Sequence, residues 1–486
     1  MIETVFLGIG EVFNVSTLAI IVLGIFIGTL FGIIPGLSGV TTVALLLPFV
    51  YDMNPLTGIG FLLGARAATY TGGAVSSILL GIPGTVSNSA TVIDGHKLYK
   101  KGRGYIAVGA ALSASLIGGV IGATTLAFSL PFMAPVILSV GAPEVFILSS
   151  IGLLWIGLFG HKQEKIKNFL MIFLGIGFSL VGYQRISGEP RLYFGSDYLI
   201  DGIPIIPLVL GVFAIPEIVT LLTKRVPEEA MKERKNRYFH ELYLGLFATL
   251  RRYLLVLKSS LLGIGVGIIP GVGGETAPLL AHALAKKART FSALDGVIAP
   301  ESSNNAKEGG ALIPTLALGI PGSAGMAMLL GAFMILGVEP GPNFLVEHMN
   351  FAISLAFILA IANIVAVLFM IALTPMVKKS ISINPHLLFI FLISCTVFGT
   401  YLSQKNVFHI VFLVFFSFVG VIIDKLKVSK SALILGFIMG PLIETYCIIS
   451  IQAYGLALLS RPIVWLSLIL LLWFFYKSST LSKNKK

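Results

Sequence analysis

Four ionisable residues stand inside otherwise apolar sequence: Arg66, Glu301, Lys307 and Glu308, with Asn304 and Asn305 between the second and third. A charge within a membrane span is costly and faces a cavity, a pathway or a partner. Arg66 could take a substrate carboxylate in a two-pronged grip, or pair with Glu301 or Glu308. Lys307 and Glu308 could pair with each other or reach the interface by snorkelling. Glu301, Asn304 and Asn305 offer oxygens to a coupling cation. This is the chemistry of binding an oxygen-rich anion and an ion, not of cutting a bond.

The second ingredient is a pair of short phrases, each present twice. Gly81-Ile82-Pro83-Gly84 returns as Gly319-Ile320-Pro321-Gly322, each copy preceded by paired glycines, Gly72-Gly73 and Gly309-Gly310. Ile33-Ile34-Pro35-Gly36-Leu37-Ser38-Gly39 returns as Ile268-Ile269-Pro270-Gly271-Val272-Gly273-Gly274. Pro35 and Pro270 stand 235 positions apart, Gly81 and Gly319 238. Two phrases at nearly one offset mark an internal duplication. Proline-glycine within an apolar run breaks a helix, leaving unpaired N–H groups at one piece and unpaired carbonyls at the other. The N–H end carries partial positive charge and binds carboxylate or phosphate without a basic side chain; the carbonyl end suits Na⁺. Broken helices at matched positions of two halves point to a transporter's binding site. Kinks and tight packing are the plainer reading of one such break, but four in register argue for a site. Its expected lining is Gly36, Ser38, Gly39, Arg66, Pro83, Gly84, Thr85, Ser87, Asn88, Gly271, Gly273, Gly274, Thr276, Asn304, Asn305, Pro321, Gly322 and Ser323.

The elements that must position these residues are membrane helices. Of the 486 residues 56% are hydrophobic and only 12% charged, against about a quarter charged in a soluble domain. Apolar stretches repeatedly reach the roughly 20 residues that cross a bilayer. The expected fold is an all-α polytopic membrane protein of about 12–15 membrane segments, built from two inverted-topology repeats with broken or re-entrant helices. Spans are expected at 17–34, 38–50, 57–82, 105–127, 144–160, 166–183 and 205–222. The second half is expected to hold 254–270, 273–285, 308–337, 351–377, 386–402, 408–424 and 432–458, with 461–476 unmatched. Residues 38–50 and 273–285 are too short to cross and read as half-spans, which are allowed where protein or a wet cavity covers their backbone.

The net charge of +12 does not imply nucleic acid, because the Lys and Arg cluster in short loops between apolar spans, as cytoplasmic loops do. With the loops at 97–103, 162–167, 224–252, 286–289, 378–379 and 425–430 and the tail from 477 all inside, the spans alternate without conflict. The N-terminus is then outside and the C-terminus inside. The first repeat (17–222) starts outside and the second (254–458) inside, so the two run in opposite senses. The basic linker 223–253 lies on the cytoplasmic surface, and 459–486 adds one more membrane helix and a basic tail. Asp94-Gly95-His96, before Lys97 to Arg103, reads as a cytoplasmic helix boundary. No Lys or Arg precedes Arg66, so no cleavable signal peptide is expected. Cys395 and Cys447 stand alone and read as small buried hydrophobes. His282, His386 and His409 lack metal-ligand spacing, no nucleotide-binding loop is present, and no cofactor is expected beyond Na⁺ or H⁺ as coupling ion.

Pro35-Gly36-Leu37, Gly81-Ile82-Pro83-Gly84 and Asp94-Gly95 through Gly102-Arg103 resemble the first half of the large membrane subunit of the tripartite tricarboxylate transporters, the TctA family. Ala299-Pro300-Glu301-Ser302-Ser303-Asn304-Asn305-Ala306, Gly309-Gly310-Ala311-Leu312-Ile313-Pro314, Leu318-Gly319-Ile320-Pro321-Gly322-Ser323 and Glu339-Pro340-Gly341-Pro342 resemble its second half. The resemblance runs from about residue 17 to 450, in order and at matching spacing. It implies a prokaryotic inner-membrane permease, driven by Na⁺ or H⁺, that imports small organic anions such as citrate and other di- and tricarboxylates. It also implies an extracytoplasmic solute-binding protein and a small four-helix membrane subunit as partners; a homodimer is a further expectation. Two rival classes are weaker. Gly36-Leu37-Ser38-Gly39 resembles the Gly-x-Ser-Gly of rhomboid intramembrane serine proteases, with His282 or His409 as base, but Gly273 stands where Ser38 would recur. A passive anion channel would show rates beyond a carrier's and no need of a coupling ion.

Overall fold

Most of the described chain is helix. The computed structural model describes residues 2–138, 140–158, 162–222, 237–269, 274–377 and 384–462, with 464, 465 and 469. The first half holds α1 (Ile2–Val12), α2 (Val15–Ile33), α3 (Gly39–Leu46), α4 (Pro55–Leu80), α5 (Ser89–Lys100), α6 (Gly104–Leu138), α7 (Ala142–Leu158) and α8 (Lys162–Ser179). A two-strand hairpin pairs Gly182–Tyr183 with Pro190–Arg191. Then come α9 (Ile205–Val209), a π-helical turn (Leu210–Ala214) and α10 (Ile215–Leu221). The second half holds α11 (Tyr238–Leu250), α12 (Tyr253–Ile268), α13 (Thr276–Lys286), α14 (Asp295–Leu318), α15 (Ala324–Ile335), α16 (Pro342–Glu347), α17 (Met349–Leu373), α18 (Pro385–Gln404), α19 (Phe408–Leu426) and α20 (Lys430–Tyr454).

Helix starts follow local chemistry. Asn54 and Asn384 accept a backbone N–H two residues on, each with proline as the first helical residue, which suits proline because that N–H has no helical partner anyway. Among the described residues six helices are long and apolar enough to cross a membrane: α2, the first part of α6, α17 with the turn after it, α18, α19 and α20. The half-spans appear as α3 and α13, both short.

The most polar long helices lie deepest. Every residue of α4 from Leu56 to Leu80 and of α14 from Gly296 to Ala317 is buried. Around them, α18 and α19 present Ile390, Phe391, Phe398, Phe415 and Phe418 outward, as lipid-facing helices do. This arrangement corrects one expected span. The stretch 308–337 is two helices, α14 and α15, and α14 begins at Asp295. The seven polar residues from Glu301 to Glu308 depress the local hydropathy, yet protein rather than lipid surrounds them. The linker's part from 238 to 250 is the largely apolar α11, packed on α6 where Gly245 meets the Ile106 carbonyl.

Glycines set the closest helix contacts. A Cβ on Gly28 of α2 would lie 2.0 Å from the Ala65 carbonyl oxygen of α4, and one on Gly32 2.3 Å from that of Thr69. On α12, a Cβ on Gly263 would lie 2.3 Å from the Ser303 carbonyl oxygen of α14, and one on Gly267 2.4 Å from that of Lys307. Gly28 and Gly32 precede Gly263 and Gly267 by 235 positions, and Ala65 and Thr69 precede Ser303 and Lys307 by 238. The contacts thus recur at the offsets of the two phrases. Gly267→Leu must force these backbones apart and is expected to cost about 1–3 kcal/mol. Gly265→Leu, two positions away with nothing near its Cβ, should stay within about 0.5 kcal/mol of the parent. Thermal unfolding in detergent compares them, and equal melting would refute the contact.

Candidate functional site

The breaks are built by left-handed glycines and packed by others. After α2 the chain turns at Gly36 (φ 99°). Ser38 caps α3, accepting from the Thr41 N–H, and Gly39 lies against the Tyr70 ring. After α4 comes Gly81 (φ 69°), and after α14 Gly319 (φ 67°), conformations in which a Cβ would be strained. Pro83 and Gly84 follow; a Cβ on Gly84 would fall 2.4 Å from the Gly73 Cα and 2.5 Å from the Gly32 carbonyl oxygen. In the second half Gly322, after Pro321, meets the Gly267 carbonyl oxygen at 2.7 Å in the same sense. Each Gly-Ile-Pro-Gly tip is therefore pressed onto the glycine row that joins its own two helices. Ser323 caps α15, accepting from the Met326 N–H. Gly271 and Gly273, with Pro270, lie outside the described residues; Gly274 rests on the Lys307 stem and Thr276 opens α13.

Helical spacing sorts the side chains of α14. Ser302 and Ala306 meet glycines of α6, and Ser303 and Lys307 meet glycines of α12. Glu301, Asn304, Asn305 and Glu308, three or four positions apart, share the remaining face, and three of the four bond first-half residues. Glu301 accepts from Asn88 Nδ2 at 3.1 Å, from Ser115 Oγ at 3.2 Å and from the Thr91 hydroxyl. Asn88 also receives the Thr85 hydroxyl at 2.6 Å and donates to the Tyr70 carbonyl. Glu301 thus ties the first tip to α14. Asn305 donates to Thr71 Oγ1 at 3.2 Å and to Asn363 Oδ1 at 2.7 Å, leaving its own oxygen without a partner. Asn304 is wholly buried, and neither Nδ2 nor Oδ1 has a partner.

The two buried cations have separate fates. Arg66 Nε meets Glu308 Oε2 at 2.7 Å and Nη2 meets Oε1 at 3.2 Å; Nη2 also reaches Ser323 Oγ at 3.4 Å, and Nη1 has no partner. Lys307 Nζ donates to Ser87 Oγ at 2.8 Å and lies 4.4 Å from the centre of the Tyr70 ring. Of the partners open to Arg66, the structure has Glu308. Lys307 and Glu308 are not paired, because consecutive helical residues point about 100° apart.

Reasoning along the chain missed two features. Glu217 on α10 accepts the Ser38 N–H at 3.0 Å, the Ser38 hydroxyl at 3.1 Å and the Thr41 hydroxyl, so a carboxylate of the protein itself already sits at the α3 N-terminus. Its available signal was a lone acid in the apolar span 205–222. Asp94, expected at a helix boundary, lies within α5 and meets His282 Nε2 of α13 at 2.8 Å. The helix continues past it to Lys100, with α13 and Gly296 packed against it. Tyr70, one of the hydroxyl residues before the first tip, lies between both cations, its ring 5.4 Å from Arg66 Cζ and 4.4 Å from Lys307 Nζ. The proposed serine base is not at hand: Ser38 bonds Glu217 and Thr41, while His282 bonds Asp94 and His409 bonds Tyr198. Beyond Gly319, at the end of α14, opens a cleft of about 780 Å³ lined by Arg185, Glu339, Glu347, His348 and Tyr446.

Residues 18–435 match the family described as the tripartite tricarboxylate transporter TctA family. The chain is also 30% identical over 429 residues to an Agrobacterium vitis protein described as "Uncharacterized 52.8 kDa protein in TAR-I ttuC' 3'region", covering 87% of this chain and 84% of that one. A second A. vitis protein, "Uncharacterized protein in TAR-II ttuC' 3'region", is 29% identical over 187 residues, or 37% of this chain and 77% of that one. No solved structure matches.

Proposed function

The chain belongs to the tripartite tricarboxylate transporter TctA family, and from that premise we propose that it is an ion-coupled permease for small organic anions, di- or tricarboxylates. It imports them across the prokaryotic cell membrane by alternating access between two inverted repeats, 17–222 and 254–458. Its N-terminus is outside, its C-terminus is inside, and Na⁺ or H⁺ drives it. An extracytoplasmic binding protein delivers substrate, a small four-helix subunit accompanies the permease, and two copies associate.

One observation carries the site. Asn304 is wholly buried on α14 with both ends of its amide unbonded. A buried polar group without a partner costs about 1–3 kcal/mol, and a site that awaits an oxygen-rich ligand accounts for that cost. The tips would supply backbone N–H groups to that ligand, and Ser87, Asn305 and Ser323 side chains. The recurrence of the glycine contacts at the phrase offsets supports the duplication.

Uptake of labelled citrate, succinate and other small carboxylates into proteoliposomes tests this reading, with and without an inward Na⁺ or proton gradient and with candidate binding proteins added. Gradient-driven uptake of a carboxylate is expected. Flux faster than a carrier's and indifferent to both gradients would replace the carrier with a channel. No carboxylate uptake under any of these conditions would overturn the substrate class.

A further inference from the structure

We propose that Lys307 supplies the fixed positive charge that binds a carboxylate of the transported anion, with Ser87 and Asn304 beside it. This rests on the carrier reading above and adds the group that holds the substrate's charge.

Lys307 is 1% exposed, and an ammonium has three protons to donate. One goes to Ser87 Oγ, and the Tyr70 ring faces the head. Among the described residues no carboxylate lies within ion-pairing distance of Nζ. The acids around it are Glu275, Glu301 and Glu308. Glu308 is held by Arg66, Glu301 already accepts from three donors, and Glu275 acts on the ammonium through space without an ion pair to it. A buried charge without a close counter-charge is unfavourable in any protein and marks a functional position within a membrane span.

The two cations are placed reciprocally. Arg66 reaches from the first half to the second tip, where its Nη1 lies so close to Gly325 that a Cβ there would fall 1.4 Å away. Lys307 reaches from the second half to the first tip, at Ser87. Ser87 and Gly325 stand 238 positions apart, the offset of the tips themselves. Of this matched pair, Arg66 touches a carboxylate of the protein and Lys307 touches none, which leaves the ammonium at the first tip open to a carboxylate of the ligand. Asn304, one helical turn before Lys307 on α14, brings an unbonded amide N–H and carbonyl. Ser87 can keep accepting from Nζ while donating its own proton. Lysine, serine and asparagine together make a cation and two neutral donors for one carboxylate, and the Tyr70 ring lies against the ammonium.

The test compares full-length wild type with Lys307→Met and Lys307→Arg, measuring uptake kinetics in proteoliposomes and melting in detergent with and without citrate or succinate. Wild type should melt higher with a transported carboxylate. Lys307→Met should raise the KM for that carboxylate about 10–100-fold, the weight of a hydrogen bond to a charged group. It should also lose the ligand-induced shift, yet melt no lower than wild type without ligand. Lys307→Arg should keep a ligand-induced shift. An unchanged KM in Lys307→Met, or a variant that melts well below wild type or does not fold, would make the lysine a structural bolt and overturn the proposal. If wild type transports no carboxylate and none shifts its melting, the carrier reading falls and this proposal with it.

Discussion

Arg66→Ala, followed by equilibrium unfolding in mixed micelles, is expected to lower stability by about 3–5 kcal/mol. The loss comes from the partner left behind. Glu308 is 2% exposed, and its two oxygens are held by Nε at 2.7 Å and Nη2 at 3.2 Å of the one guanidinium. Without Arg66 a carboxylate stays buried with no water to replace the lost donors. Removing both charges should undo the damage. Arg66→Met with Glu308→Met fills the same space with apolar atoms and is expected to return within about 1 kcal/mol of wild type, since buried pairs are commonly replaceable by hydrophobic residues of similar volume. A double variant no more stable than Arg66→Ala would show that the pair is not an isolated unit. Uptake separates the pair's two roles. If Arg66 only neutralises Glu308, the double variant transports; if the unbonded Nη1 also meets substrate, stability recovers and transport does not.

Asn304→Ala should do the reverse. Its amide bonds to nothing in the structure, so removing it deletes two unsatisfied polar groups and breaks no internal hydrogen bond. Stability is expected to hold or rise slightly. Uptake is expected to fall on the order of 100-fold or more, because each lost hydrogen bond to a charged ligand contributes about 1.5–3 kcal/mol and the side chain can make two. Wild-type uptake in this variant would remove Asn304 from the site. A melting temperature that falls together with uptake would make it a framework residue instead.

What could be read along the chain depended on how local the cause was. The helix breaks were legible at Gly36, Gly81 and Gly319, because a positive φ leaves its mark on residue type at one position. The half-spans α3 and α13 were legible from length alone. Pairing was not. Lys307 and Glu308 are neighbours in sequence and strangers in space, since helical rotation separates them. Arg66 and Glu308, 242 positions apart, are partners. Glu217 and Ser38 are 179 positions apart, and no periodicity links them. The start of α14 was misplaced for a related reason. Hydropathy measures the cost of facing lipid, and the stretch from Glu301 to Glu308 faces only protein. Asp94 was read as a boundary residue because basic residues follow it, while the His282 that covers it lies 188 positions on.

The glycine rows on α2 and α12 also bear on how the protein can move. Where two backbones touch with no side chain between them, nothing can change rotamer to absorb a small displacement. A gap of even half an ångström forfeits a sizeable share of the dispersion attraction and is too narrow for a water molecule or a lipid chain to fill. Such a pair is stiff: it stays together or it separates outright. The α2–α4 and α12–α14 pairs therefore act as two struts, each carrying the tip pressed onto its own glycine row. Deformation is left to the joints, at Gly36, Gly81 and Gly319, where the backbone already occupies the left-handed region. A cycle that exposes the site first to one side and then to the other would have to swing the struts about those joints and leave each strut unbent.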